Sequence, residues 1–226
     1  MQAGTDEARL AALTAILKVL ARWAPQARHD MVGACSPISL ELSLLGVKSR
    51  RSALSAEDVE AFIERGKKSV KNTVDEIDSV MLLQKQDRKH AVPVCDMVDK
   101  MARSIRTLFA GVDWSAPHNP ADLGSDSEYD LTIGMWAVLM ALLDRHGGNM
   151  QLRLFAQREG GDLVMDFSVA PVPPAVAENW SNAASQAAPQ QQLSIDEVHH
   201  LAHHLGFMFT RREGGIELRR EAAQAA

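Results

Sequence analysis

The first part of the chain repeats apolar residues at the three- and four-residue spacing of helices. An opening segment contains Leu10, Leu13, Leu17 and Leu20, and a second segment contains Met31, Cys35, Ile38, Leu42 and Leu45. Pro25 lies between the two segments and is expected to kink the helix or to start a new one. The second segment steps by 4, 3, 4 and 3 residues, which is a heptad pattern. We therefore expect Cys35 to be a small buried side chain on this apolar stripe.

A second long helix is predicted after a polar and basic loop at residues 46–54. Its start, Ser55-Ala56-Glu57-Asp58, resembles a capping box with the shorter acid in the last position. Its apolar face contains Val59, Ile63, Gly66, Val70, Thr73, Ile77 and Val80. The two helices are expected to form an antiparallel hairpin. Because both apolar faces are too wide for one partner helix, we expect a homodimer in which two hairpins form a four-helix bundle.

From about residue 91 the pattern becomes mixed. A strongly apolar helix over Tyr129–Leu143 stops at His146-Gly147-Gly148, which is a helix-end signal. Alternating apolar positions then predict two hairpins, each with an Arg-Glu-Gly-Gly turn, and a short helix between them that Ser194 caps. This order predicts helices packed on an antiparallel-rich sheet. The expected fold class is α+β, with domains at residues 1–90 and 91–226.

Composition excludes several classes of protein. The 226 residues include 24 basic and 29 acidic side chains, and the formal net charge of −5 argues against a general nucleic-acid binder. No apolar run approaches the roughly 20 residues of a membrane span, and the first residues lack the order of a signal peptide. Two cysteines cannot form a disulfide framework. We therefore expect a cytoplasmic protein with no nucleic-acid partner and no membrane association.

One histidine has a setting suited to nucleophilic chemistry. His29 falls off the apolar stripe and is expected to face solvent, where a partner protein can reach it. The adjacent Asp30 is placed to polarise one ring nitrogen and leave the other nucleophilic. Pro37 removes one helical hydrogen bond just beyond the site and permits a bend. The alternative is an ordinary surface histidine that happens to precede an aspartate.

The segment from Arg28-His29-Asp30 to Pro37-Ile38 resembles the phospho-acceptor motif of bacterial two-component histidine kinases. In that family an acidic residue directly follows the histidine, and one subgroup places a proline eight residues after it. The resemblance implies that His29 is the phospho-acceptor and that Asp30 orients or polarises it.

The resemblance extends over most of the chain, but it departs from the family where ATP is bound. Arg145-His146-Gly147-Gly148 matches the end of a helix in the kinase ATP-binding domain. The magnesium-binding asparagine of that helix corresponds to Leu142, which cannot ligate a hard cation. Ala170-Pro171-Val172-Pro173-Pro174 replaces the Asp-x-Gly-x-Gly segment, and residues 183–192 contain no glycine for a phosphate loop. A degenerate kinase-ATPase-like α/β sandwich is therefore expected, without a bound cofactor.

Taken together, the chain is similar in kind to the dimeric histidine phosphotransferases of phosphorelays. The resemblance implies a protein that passes phosphoryl groups between response-regulator aspartates through His29, with no autonomous ATP-dependent kinase activity. Its partner is a response-regulator receiver domain, which supplies the Mg²⁺. One alternative is a non-catalytic pseudokinase module that binds and regulates a response regulator or a histidine kinase. Another is an active kinase with a divergent nucleotide site.

Four histidines near the C-terminus form a separate cluster: His199, His200, His203 and His204. They make two i, i+4 pairs, a spacing able to hold Zn²⁺ or Ni²⁺. No third ligand and no glutamate of the His-Glu-x-x-His kind accompanies them. We interpret the cluster as a polar helix face rather than a metal site, and the sequence leaves metal binding at these residues open.

Overall fold

The computed structural model describes residues 2–51, 55–85, 88–105, 109, 111–115, 120–172 and 187–222. Its elements, in chain order, are α1 (Gln2–Arg51), α2 (Ala56–Lys85), β1 (Ala91–Pro93), α3 (Val94–Ser104), β2 (Gly111–Ser115), β3 (Ser125–Ser127), α4 (Glu128–His146), β4 (Met150–Glu159), β5 (Asp162–Pro171), α5 (Ile195–His204), β6 (Met208–Arg212) and β7 (Gly215–Arg220). The expected mixture of helices and sheet is confirmed.

The chain divides into two compact units. The hairpin unit is Trp23–Asp87, and the sheet unit combines Met1–Arg22 with Arg88–Ala226. The first turns of α1 are therefore counted with the sheet unit, although they precede the hairpin in sequence. The division into domains at residue 90 stays a prediction.

Helix α1 continues through both of its prolines, Pro25 and Pro37. Of the two alternatives predicted for Pro25, the start of a new helix is therefore wrong, because a proline removes one backbone hydrogen bond and the turns on either side maintain the helix. The loop expected from residue 46 is also shorter than predicted, since α1 extends to Arg51. Lysine and arginine are good helix formers, and the Arg50 side chain donates to the carbonyl of Gly46 at 3.1 Å.

Helix α2 begins with the capping box expected from the sequence. The Asp58 N–H donates to Ser55 Oγ at 3.1 Å, and the Ser55 N–H donates to Asp58 Oδ2 at 3.3 Å. Ion pairs join Arg65 to Glu41 and Lys48 to Asp58. From the first pair to the second, the α1 residue number increases by seven, from 41 to 48, and the α2 residue number decreases by seven, from 65 to 58. The two helices therefore run antiparallel, as predicted.

The sheet unit is built on a five-stranded sheet in the order β2-β4-β5-β7-β6. Strand β2 pairs in parallel with β4, and all other neighbours in this sheet are antiparallel. Both predicted hairpins are confirmed. The turn of the first uses Gly160 and Gly161, and that of the second uses Gly214, all at positive φ. A separate ladder pairs β1 with β3.

The core of the sheet unit forms around α4, which is buried from Glu128 to Leu143. This helix contacts α3, α5 and β5. Alternate residues of the strands are buried with it, among them Leu152, Leu154, Leu163, Met165, Phe167, Ile216 and Leu218. The predicted end of α4 is confirmed at Gly147, which has a φ of 77°.

The beginning of α1 is packed in the same unit. Four of its residues recur at helical spacing and are at most 4% exposed: Ala12, Ala15, Ile16 and Val19. The opposite face of these turns carries Leu10, Leu13 and Leu17, all exposed. We call residues 12–22 the docked segment. Its buried face is narrow, and Lys18 and Arg22 at its far end form ion pairs with Glu197 and Asp144.

Candidate functional site

His29 and Asp30 lie on α1, in the part that belongs to the hairpin unit. The backbone is helical on both sides of them. The side chains of both residues lie outside the described part of the chain, so their predicted roles stay predictions. Arg28, directly before them, is exposed.

The helix is weakened one to two turns after His29. Pro37 has no N–H, so the carbonyl of Gly33 receives no helical hydrogen bond from it. Gly33 is exposed, with nothing within 4 Å of the position that a Cβ would occupy. The Ser36 hydroxyl donates to the carbonyl of Val32 at 3.0 Å, a side-chain bond that often accompanies helix bending. This part of α1 is therefore suited to local bending.

The hairpin unit of one chain exposes many large apolar side chains. They are Val32, Leu40, Leu42, Leu44, Val47, Val59, Ile63, Val70, Val74 and Ile77, each between 38% and 62% exposed. Cys35 is also exposed, so its expected burial is not met within a single chain. An apolar surface of this extent is unusual for a monomer and typical of an interaction surface.

The residues that stand at the expected nucleotide positions are apolar. Leu142 is 2% exposed, and its side chain belongs to the core around α4. Ala170 and Pro171 end β5, and Val172 follows. The two expected nucleotide loops also include residues between 173 and 186. These residues lie outside the described part of the chain. Hydrocarbon side chains cannot coordinate Mg²⁺, and they cannot accept a hydrogen bond from an adenine amino group.

A cleft of about 500 Å³ lies between the end of α4 and the beginning of α5. Its lining includes Lys18 of the docked segment, Asp144 and Arg145 of α4, residues 192–195 and 197, and Arg211 of β6. Asp144 Oδ2 accepts from Arg22 Nη1 at 2.6 Å and from the Leu193 N–H at 2.9 Å. One carboxylate thus joins the docked segment, α4 and the residues that lead into α5.

Backbone N–H groups at the start of α5 donate hydrogen bonds to side chains of the same segment. The Glu197 N–H donates to Ser194 Oγ at 3.1 Å, and the Ser194 N–H donates to Glu197 Oε2 at 2.9 Å, which confirms Ser194 as the cap. Helices that bind phosphate direct such N–H groups at the ligand. Here the N–H groups of Leu193, Ser194 and Glu197 all point at protein oxygens, so they are not free to hold a phosphate.

Glu197 adds a negative charge at the same place. Burial raises the pKa of its carboxyl group, but the hydrogen bonds from Lys18 and Ser194 outweigh burial, and the net pKa is below the usual range. Lys18 Nζ lies 2.6 Å from Glu197 Oε1 and also donates to the carbonyl of Gln192 at 2.9 Å. The carboxylate is ionised at neutral pH, and it repels any phosphate brought to the helix start.

Sequence reasoning missed this set of contacts. The partners of the two ion pairs, Arg22–Asp144 and Lys18–Glu197, are at least 122 residues apart in the sequence. The short sequence signal that was available, the Ser194-x-x-Glu197 capping box, identifies the helix start but not its partners.

The four C-terminal histidines lie on α5, as predicted. His199 Nε2 and His203 Nε2 are 3.1 Å apart on an exposed surface. Within the described residues, no cluster of three or more His, Cys, Asp or Glu side chains has the arrangement of a metal site.

Among the helices that the structure describes, none combines the length and the apolar character needed to cross a bilayer.

Comparisons with known proteins give structural neighbours but no sequence family. No family model matches the chain, and no curated protein does. A bacterial phosphotransferase is similar, with 15% identity, 91% of this chain and 96% of that chain covered, and a TM-score of 0.35. A histidine kinase from Burkholderia phymatum STM815 has 14% identity, 86% and 98% coverage and a TM-score of 0.42. The histidine kinase ThkA, solved in complex with the response regulator protein TrrA, has 9% identity, 90% and 61% coverage and a TM-score of 0.35.

Proposed function

We propose that the chain is a histidine phosphotransfer protein of a bacterial two-component phosphorelay, with His29 as the phospho-acceptor. The observation that carries the proposal is the His29-Asp30 pair on a continuous helix of an antiparallel hairpin, followed at Gly33 and Pro37 by a weakened turn. Such a protein works in the cytoplasm between two response regulators. Its partner is a receiver domain whose aspartate donates or accepts the phosphoryl group.

The transfer is a displacement at phosphorus. A ring nitrogen of neutral His29 attacks the phosphorus of an aspartyl phosphate, a P–N bond forms, and the P–O bond to the aspartate breaks, releasing a carboxylate. Asp30 holds the N–H of the imidazole and favours the charged ring that forms. In the reverse direction a second receiver's aspartate attacks the phosphohistidine. The Mg²⁺ that assists belongs to the receiver domain, so this chain needs no cofactor of its own.

The source of the phosphoryl group is a protein rather than ATP. The N–H groups of Leu193, Ser194 and Glu197 donate to side-chain oxygens of Asp144, Glu197 and Ser194, respectively. Leu142 stands where a magnesium ligand is expected. These features support a domain that has lost nucleotide binding. They do not favour an active kinase with a divergent site.

The active form is a homodimer. The exposed apolar side chains of the hairpin unit are stabilised when a partner surface buries them, and a second hairpin of identical sequence offers matching apolar faces. Two hairpins then form a four-helix bundle, with His29 of each chain predicted to lie off the stripe and to face the receiver domain.

The decisive experiment follows acid-labile phosphate from a phosphorylated receiver domain onto this chain. Wild type is expected to take up label and His29→Ala to take up none. His90→Ala is the matched control, because His90 is exposed and its Nε2 lies 3.5 Å from a carboxylate oxygen of Glu128. Loss of a solvent-facing imidazole changes the free energy of unfolding by no more than about 0.5 kcal/mol. Circular dichroism checks that His29→Ala remains folded.

Asp30→Asn separates the two proposed roles. Transfer is expected to become slower without stopping, since the nucleophile remains while its orientation and charge support are weakened. Label on His29→Ala would overturn His29 as the acceptor. A wild type that binds the receiver domain but never takes up label would favour the non-catalytic module that regulates a response regulator or a kinase.

A further inference from the structure

We infer that His199 and His203 form a surface chelate for a borderline divalent cation such as Zn²⁺. The inference rests on the arrangement of the two imidazole rings on α5, and it does not depend on the proposed phosphotransfer. His199 and His203 are one helical turn apart, and their Nε2 atoms are only 3.1 Å apart. The ring centroids are 4.7 Å apart, so the two nitrogens are turned towards each other.

The nitrogen separation fits one shared metal ion. Zinc binds histidine nitrogen at about 2.05 Å, and two nitrogens 3.1 Å apart then subtend an angle of about 98° at the metal. This angle lies between the roughly 90° of octahedral and 109° of tetrahedral coordination, so both geometries can use the pair. Without a metal the same separation allows one N–H···N hydrogen bond, which a cation replaces with two stronger bonds.

An aromatic neighbour holds one ring of the pair in place. The His199 ring contacts Phe209 of β6 edge to face, with centroids 5.4 Å apart, which fixes its orientation.

The rest of the coordination sphere is solvent. Within the described residues no third His, Cys, Asp or Glu side chain completes a cluster, and the pair lies on an exposed face. The ion therefore keeps water ligands and exchanges freely. Its effect on the protein is local, because it joins two successive turns near the end of α5.

His204, on the same helix, provides a matched control. Arg88 donates to the backbone carbonyl of His204 at 2.9 Å. This guanidinium group repels a cation brought to His204, so His204 is not expected to contribute to the chelate.

The test uses the full-length chain without an affinity tag, titrated with ZnCl₂ in a buffer free of chelators. Wild type and His204→Ala are expected to bind one Zn²⁺ at α5, and His203→Ala to bind it at least about tenfold more weakly. Amide hydrogen exchange within Ile195–His204 should slow on zinc addition in the first two proteins only. His203 is exposed, so its replacement leaves the core intact; His199→Ala serves as a second ligand variant.

Three results would overturn the chelate. The first is a wild type that takes up no zinc. The second is unchanged zinc affinity in both His203→Ala and His199→Ala. The third is an equal loss of affinity in His204→Ala, which would mean that the cluster attracts metal only by its total histidine content.

Discussion

Arg22 Nη1 lies 2.6 Å from Asp144 Oδ2, and both side chains are nearly buried, at 11% and 7% exposure. This ion pair links Arg22, the last residue of α1 that belongs to the sheet unit, to the last turn of α4. The same carboxylate oxygen receives the Leu193 N–H from the residues before α5. Three separate stretches of sequence therefore depend on a single carboxylate.

Removing the cation of this pair is expected to destabilise the sheet unit strongly. Arg22→Met leaves a buried carboxylate with one remaining donor, and loss of one partner from a buried pair costs about 3 kcal/mol. The control is Lys67→Met, which breaks the pair with Glu64, where both side chains are about two-thirds exposed. That change should stay below about 1 kcal/mol. Urea denaturation followed by circular dichroism measures both, and equal effects would contradict the role given to Asp144.

The Lys18–Glu197 pair predicts how stability depends on pH. The folded-state pKa of Glu197 is lower than its ordinary value of 4.5, so the pair stabilises the fold above that pH. This contribution is lost as the pH falls through the folded-state pKa. The difference in unfolding free energy between wild type and Lys18→Met should therefore be largest near pH 7 and shrink below pH 4.5. A difference that stays constant across this range would assign the effect of Lys18→Met to packing alone.

Local chemistry explains which parts of the fold were predictable. The caps at Ser55 and Ser194 and the glycine turns of both strand hairpins depend on residues a few positions apart, and all of them were predicted correctly. The sequence left two alternatives at Pro25, a kink or a new helix, because it does not reveal that the neighbouring turns outweigh one missing hydrogen bond.

The contacts around the cleft show the limit of sequence reasoning. Arg22 and Asp144 are 122 residues apart, and Lys18 and Glu197 are 179 residues apart. No periodicity or motif links such positions, because their meeting depends on how α1 packs on the sheet unit. The sequence therefore predicts which residues replace the nucleotide ligands, but not that side chains of Asp144, Ser194 and Glu197 accept from backbone N–H groups at the start of α5.

Nucleotide binding is expected to be undetectable. The N–H groups of Leu193, Ser194 and Glu197 at the start of α5 donate to protein oxygens, and ionised Glu197 opposes a phosphate there. Calorimetry with ATP and Mg²⁺ should show only the heat of dilution, and ADP should behave in the same way. A micromolar dissociation constant for ATP would refute the proposal that phosphoryl groups come only from partner proteins and would favour an active kinase.

Self-association is expected to depend on the apolar surface of the hairpin unit. Ile38 lies on the α1 stripe and is partly exposed in one chain, and Ile77 of α2 is 42% exposed. In the proposed bundle both are buried by the second copy, so Ile38→Asp or Ile77→Asp places an unpaired charge in an apolar core. Light scattering should report a dimer for wild type and a monomer or an aggregate for either variant.

Ser43→Asp is the matched control for that experiment. It adds the same charge to α1, but at an exposed polar position whose hydroxyl donates to the carbonyl of Ser39 within its own helix. A charge there remains in water and should leave the dimer intact. If Ser43→Asp dissociated the dimer as fully as Ile38→Asp, general repulsion between the hairpins rather than burial of the stripe would be the cause. If wild type itself were monomeric at micromolar concentrations, the four-helix bundle would be wrong, and the exposed apolar face would need a different partner.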